Sequence, residues 1–154
     1  MAIDNPDIQL VCFCLGEDLF AIDIMRIREI IPPQKLSTLP STSQILLEGV
    51  INLRGVMIPV MNMRKRFAMP EAETGKFLIV SLARQALALA VDDVTEIITI
   101  PARDIHPPPD MAGGIVMEHL LGVCLSDDRV FMVLDIDSLL AQSECGDYVR
   151  AQPD

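Results

Sequence analysis

Residues 49–67 decide the fold: Gly49-Val50-Ile51-Asn52-Leu53-Arg54-Gly55-Val56-Met57-Ile58-Pro59-Val60-Met61-Asn62-Met63-Arg64-Lys65-Arg66-Phe67. Val50, Ile51 and Leu53 make one apolar run, and Val56, Met57, Ile58, Val60 and Met61 make a second. Between them lies a polar turn at Asn52, Arg54 and Gly55. Short apolar runs bounded by turn residues read as strands buried on both faces, because such strands need no polar alternation. Asn62 stands where its side-chain oxygen can cap a brief helix through Phe67. Arg54 puts a full positive charge between two of the most apolar strands in the chain. It therefore requires a carboxylate, carbonyl oxygens or solvent.

The same grammar extends in both directions. Leu10–Leu15 and Leu19–Ile24 read as a hairpin about Gly16-Glu17-Asp18. Met25, Ile27, Ile30 and Ile31 alternate loosely with Arg26, Arg28 and Glu29, which fits a bulged strand or a single helical turn. Pro32-Pro33 end that segment, and 34–44 is a Ser-, Thr- and Pro-rich loop. After a polar connection at 69–76, Phe77–Leu82 and Ala86–Val91 predict a second hairpin, followed by a strand at Val94–Ile100. Pro107-Pro108-Pro109 stiffen the loop 101–114. Gly122–Leu125 and Val130–Leu134 predict a third hairpin across Ser126-Asp127-Asp128-Arg129. Asp135 or Asp137 is placed to cap a C-terminal helix through Leu139 and Leu140. Residues 146–154 read as a loose tail.

An internal repeat underlies the pattern. A shift of 67 lays Phe20–Ile31 on Leu87–Ile98, with Ala21/Ala88, Glu29/Glu96, Ile30/Ile97 and Ile31/Ile98 identical. A shift of 73 lays Gly49-Val50 on Gly122-Val123, Val60 on Val133 and Asn62 on Asp135. Two copies of about five short strands each predict two small β-barrels in tandem. The expected single domain spans 8–141, with subdomains at about 8–72 and 73–141. The copies differ at the turn: Asn52-Leu53-Arg54-Gly55 corresponds to Leu125-Ser126-Asp127-Asp128. A charge confined to the first half is expected to serve a role particular to that half.

Composition narrows the function classes. The chain has 154 residues, 51% of them hydrophobic, and a net charge of −10. That charge argues against nucleic acid, whose phosphates require a basic face. No apolar run reaches the length of a membrane helix, and the first nine residues lack a basic signal region. Cys12 and Cys14 are two apart, which puts both on one strand face as small apolar residues rather than in C-x-x-C metal spacing. His106 and His119 lie beside no nucleophile in sequence, and no Gly-rich phosphate loop is present. Asp92-Asp93 and Asp135-Ile136-Asp137 read as turns and caps, and Arg64-Lys65-Arg66 as a solvated helix face. No catalytic residue, metal or cofactor is expected. The chain has nine methionines, whose flexible side chains suit adaptable binding surfaces as well as cores, and core filling is the expectation for any single one.

The residues resemble a known family. Gly49-Val50-Ile51-Asn52-Leu53-Arg54-Gly55, then Ile58-Pro59-Val60, and Phe20-Ala21-Ile22-Asp23-Ile24 upstream are similar to the bacterial chemotaxis coupling proteins of the CheW family. Ala90-Val91-Asp92-Asp93-Val94-Thr95-Glu96-Ile97-Ile98, Pro107-Pro108-Pro109 and Leu134-Asp135-Ile136-Asp137 agree as well, so the likeness runs from about Leu10 to Leu140. It implies an all-β fold of two five-stranded SH3-like barrels with short helices. It implies a non-enzymatic cytoplasmic adaptor, held at the inner face of the membrane through chemoreceptors. The implied partners are the cytoplasmic tip of a methyl-accepting chemotaxis receptor, the regulatory domain of the histidine kinase CheA, and further copies within arrays. Matched residue by residue, the resemblance pairs Arg54 with Glu29. It assigns Ile24, Ile27, Val56 and Ile58 as apolar contacts for a receptor helix, with Asn52 and Gly55 in the same turn. An adaptor of a non-motility pathway would carry the same motifs. A ligand-binding barrel would instead show a deep pocket holding a histidine beside a carboxylate or cysteine.

Overall fold

The computed structural model describes residues 6–38, 47–108 and 118–139. In chain order the strands are β1 (Asp7–Leu15), β2 (Asp18–Asp23), β3 (Ile27–Ile31), β4 (Leu47–Leu53), β5 (Val56–Asn62), β6 (Lys76–Ser81), β7 (Ala86–Val91), β8 (Asp93–Pro101), β9 (Leu120–Ser126) and β10 (Arg129–Leu134). One short helix, α1 (Met63–Arg66), follows β5, and its Asn62 cap accepts the Lys65 N–H at 3.2 Å. The segment after β2 is both of the forms expected of it. Ile24–Arg26 is a 3-10 turn capped by Asp23, and β3 then runs with a register shift between Ile27 and Glu29.

Among the described residues the strands form two five-stranded sheets, ordered β8-β1-β2-β10-β9 and β3-β6-β7-β5-β4. Exchanging the first repeat (β1–β5) for the second (β6–β10) converts one order into the other, so the pseudo-twofold expected from the repeat is present. The boundary drawn near residue 72 separates the repeats but not the sheets. Each sheet takes the first two strands of one repeat and the last three of the other. The exchange hinges on two parallel pairings, β2 with β10 and β5 with β7. Two single bridges, Ser37 with Val50 and His106 with Val123, mark equivalent points in the two halves. At the second, no side chain fits at Gly122, because a β-carbon there would run into the His106 carbonyl oxygen.

Exchange makes the core continuous. On β1, Val11, Phe13 and Leu15 face a core shared by both sheets, while Leu10 and Cys12 face a smaller core inside their own sheet. On β7, Leu87, Leu89 and Val91 join the shared core, while Ala86, Ala88 and Ala90 fill the opposite small one. Both faces of these strands are covered, which is why their sequences lack polar alternation. Phe20 stacks between Phe13 and Phe67, with both centroid distances 5.4 Å.

The basic segment after β5 is not the solvated face expected from its composition. Arg64 donates to Asp92 at 2.9 and 2.6 Å and to the Pro70 carbonyl at 2.7 Å. Arg66 is buried and donates to the Leu139 carbonyl at 3.1 Å, and Lys65 pairs with Glu48 at 2.7 Å. The reason is location: α1 packs against β5 and β7 of one sheet, and Phe67 just after it stacks on Phe20 of the other. Asp92 is likewise more than a solvated turn: it accepts the Gly16 N–H at 2.7 Å and is held below the usual carboxylate range by Arg64. After β10 the described helix is only a 3-10 turn, Ile136–Ser138; its expected continuation and the expected tail lie outside the described residues.

Candidate partner-binding groove

β4 and β5 are joined by a two-residue turn, with Leu53 opposite Val56 and both turn residues in the left-handed region: Arg54 at φ 52° and Gly55 at φ 89°. That turn matches the twist of the flanking strands and favours Asn-Gly or Gly-Gly at its centre. Arginine at the first position is therefore held against its own preference, by a cost of about 1 kcal/mol. The Asn52 side chain secures the turn by accepting the Gly55 N–H at 2.8 Å. From there the Arg54 guanidinium reaches across to β3 and donates to the Glu29 carboxylate. The Arg54 side chain is 69% exposed and that of Glu29 33%.

The pair stands at the rim of a groove of about 250 Å³ lined by Arg28, Glu29, Leu53, Arg54, Val56, Ile58 and Ile79. Its floor is apolar: Ile58 and Ile79 belong to the small core of their sheet, and Val56 is largely exposed. Two arginines against one glutamate leave the lining with one net positive charge on an acidic chain. Glu29, Arg54, Val56 and Ile58 of the expected residues thus come together, and Asn52 and Gly55 hold the turn. Ile24 and Ile27 do not join them: both are partly buried against the shared core. Three lining residues escaped the sequence reading. Arg28 was visible only as a charge beside Glu29, and Leu53 as part of an apolar run. Ile79 enters because β6 pairs with β3 across the repeat boundary.

The second half has its own arginine–glutamate pair, contrary to the expected asymmetry. Arg129 meets Glu96 at 2.6 Å, and its guanidinium lies 5.2 Å from the Phe131 ring centroid. Arg129 sits two residues past Asp127, the position equivalent to Arg54, so alignment of the turns hid it. Here the cation covers an aromatic residue instead of bordering an open groove.

No cluster of three metal-ligating side chains occurs among the described residues. His119 is buried, and its Nδ1 lies 2.8 Å from Ser138 Oγ. That hydroxyl donates to the Asp135 carbonyl at 2.7 Å, so the imidazole must be the donor to Ser138 and takes no proton from it. Cys12, Cys14 and Cys124 are free thiols, and burial pushes Cys12 up to about 12. A reactive cysteine needs the opposite shift.

The profile of the CheW-like domain family matches residues 9–144. Chemotaxis protein CheW of Treponema pallidum (strain Nichols) is 34% identical over 151 residues, covering 94% of this chain and 88% of that protein. Chemotaxis protein CheW of Rhizobium meliloti (strain 1021) is 30% identical over 145 residues, covering 92% of this chain and 93% of that protein. The crystal structure of scaffolding protein TtCheW from Thermoanaerobacter tengcongensis aligns with a TM-score of 0.80 at 30% identity, covering 88% of this chain and 94% of that one. Sequence profile, relatives and backbone agree across both sheets, and the chain belongs to the CheW-like family.

Proposed function

We propose that this chain is a non-enzymatic signalling adaptor that couples transmembrane chemoreceptors to a CheA-type histidine kinase in a bacterial chemosensory array. The observation that carries the reading is the family match through residues 9–144, which takes in both sheets and the seam between them. The receptor's helical tip docks in the groove beside Arg54, and the kinase's regulatory domain engages another face. Support for the groove comes from its make-up. An apolar floor of Val56, Ile58 and Ile79 suits the ridge of an amphipathic helix, and Arg28 and Arg54 suit a carboxylate at its edge. In this reading the chain reaches the cytoplasmic face of the membrane by binding receptors; no helix among the described residues is long and apolar enough to cross a membrane.

Coupling in such an adaptor is a difference of binding free energies transmitted through the protein between two faces. The core shared by both sheets gives such coupling a packed path from the groove to the opposite sheet. Calorimetric titration of the purified chain with a soluble receptor-tip fragment, and separately with a CheA regulatory domain, tests the proposal. Both are expected to bind at micromolar concentrations, and Arg54→Glu is expected to lose the receptor while keeping the kinase domain. Absence of both interactions would overturn the adaptor reading. Equal loss of both in the variant would overturn the groove assignment.

A further inference from the structure

Two ion-pair clasps sit where the chain crosses between sheets, and they carry opposite polarity. In the first, Arg64 of α1 forms a bidentate pair with Asp92, at the junction between β7 and β8. In the second, Arg26 of the turn after β2 forms a bidentate pair with Asp137, at 3.2 and 2.7 Å, in the turn after β10. These are equivalent places. A shift of 73 carries residue 64 onto 137, and a shift of 67 carries residue 25, the neighbour of Arg26, onto 92. Each clasp also ties in the first hairpin of one repeat. Asp92 accepts from Gly16 between β1 and β2, and Arg26 donates to the Ser81 carbonyl at the end of β6, at 3.2 and 2.9 Å.

The first repeat is thus basic at both clasp positions, Arg26 and Arg64, and the second is acidic at both, Asp92 and Asp137. Each clasp joins one repeat to the other. The apolar equivalences of the repeats, such as Phe20 with Leu87 and Ile22 with Leu89, leave hydrophobic burial a weak guide to which repeat should pair with which. A first repeat exchanging strands with a first repeat from another copy of the chain would place Arg64 against Arg26. A second repeat with a second would place Asp137 against Asp92. We infer that the inverted charges of the two clasps direct strand exchange to the unlike repeat and exclude like-with-like assembly between copies of the chain. The device works as alternating charges do in selective helix pairing, by repulsion in the wrong state as well as attraction in the right one.

Charge swaps separate this role from simple stabilisation. Arg26→Asp/Asp137→Arg keeps both clasps oppositely charged in the native pairing, yet now also permits like-with-like pairing, because each repeat then carries one charge of each sign. Adding Arg64→Asp/Asp92→Arg inverts both clasps and restores the exclusion. The chains are refolded from denaturant, and the oligomers are sized by chromatography with light scattering. The double variant is expected to yield about tenfold more exchange dimer, one that dilution does not dissociate, than either wild type or the quadruple variant. Equal dimer fractions in all three would overturn the inference. If the first double variant fails to give a native circular dichroism spectrum, Arg64→Asp/Asp92→Arg alone makes the same prediction. Neutral Arg26→Gln/Asp137→Asn should also raise the dimer fraction, and failure of both to do so would count against the inference equally.

Discussion

Replacing Arg54 with glycine should separate the groove's binding role from the fold's stability. Three terms act on stability. The ion pair with Glu29 is lost, and with the Arg54 side chain 69% exposed it is worth about 0–1 kcal/mol. Glycine adds backbone freedom to the unfolded chain, a cost of about 0.5–1 kcal/mol. Against these, a non-glycine residue at φ 52° is relieved of left-handed strain, a gain of about 1 kcal/mol. The sum lies within about 1 kcal/mol of zero, which for a chain of this size moves the melting temperature by at most about 4 °C. Binding behaves differently. A charge-assisted contact worth about 1.5–3 kcal/mol disappears, so affinity for a receptor-tip fragment should fall about 10- to 100-fold. Thermal melts by circular dichroism and calorimetric titration read the two quantities on one preparation. A melting temperature lower by more than about 10 °C would make Arg54 a structural residue. Affinity preserved within about twofold would remove Arg54 from the binding site.

Phe20→Ala should destabilise by about 3–5 kcal/mol and melt both sheets in one transition, because Phe20 stacks in the core they share. Separate transitions by urea titration would contradict the shared core. Asp92→Asn should lower stability most above pH 5 or so, with the gap from wild type closing as the solution is acidified. The sign follows from a folded-state carboxyl held below its ordinary value of 3.8 by Arg64: the stabilisation is present above the unfolded value and lost as pH falls through the folded one. Urea midpoints across pH check it, and a gap that widens in acid would refute it. Gly122→Ala should cost about 1–3 kcal/mol by pushing the His106 carbonyl off Val123, measured as a loss of amide protection at Val123. Cys12 and Cys124, buried with thiols shifted upward, should resist a thiol reagent at neutral pH until the chain unfolds; rapid labelling of either in the native protein would contradict their burial.

Local structure was legible in the sequence to the extent that local chemistry determines it. Turn residues placed the hairpins, Asn62 announced α1, and the paired Gly-Val motifs at 49–50 and 122–123 revealed the repeat. Partner choice was not legible. Strands apolar on both faces carry no mark of which neighbour they take, so β2 and β7 could not show that each pairs in parallel with the last strand of the other repeat. The same blindness misplaced side chains at the seam. Arg64 and Arg66 read as surface because nothing in their own segment records Asp92 or the Leu139 carbonyl packing over them. At the groove, the turn residues and Glu29 were visible because motif and repeat both pointed to them. Ile24 and Ile27 went to the core instead, since the 3-10 turn and the bulge at the start of β3 set their faces.

The exchanged topology also explains why an adaptor can be small. Hydrophobic burial across the seam lets two thin sheets support each other, and neither needs a thick core of its own. Surface remains for partners at the hairpin ends, where Val56, Met57, Leu125 and Val130 stay exposed.

In the proposed complex a partner helix lies along the groove beside Arg54. Chemical-shift mapping of the isotopically labelled chain with a receptor-tip fragment tests it most directly. The perturbed amides and methyls should centre on Glu29, Leu53, Arg54, Val56 and Ile58, and leave the β9–β10 hairpin unmoved. Perturbations centred on Leu121, Leu125 and Val130, with the groove signals unchanged, would contradict it.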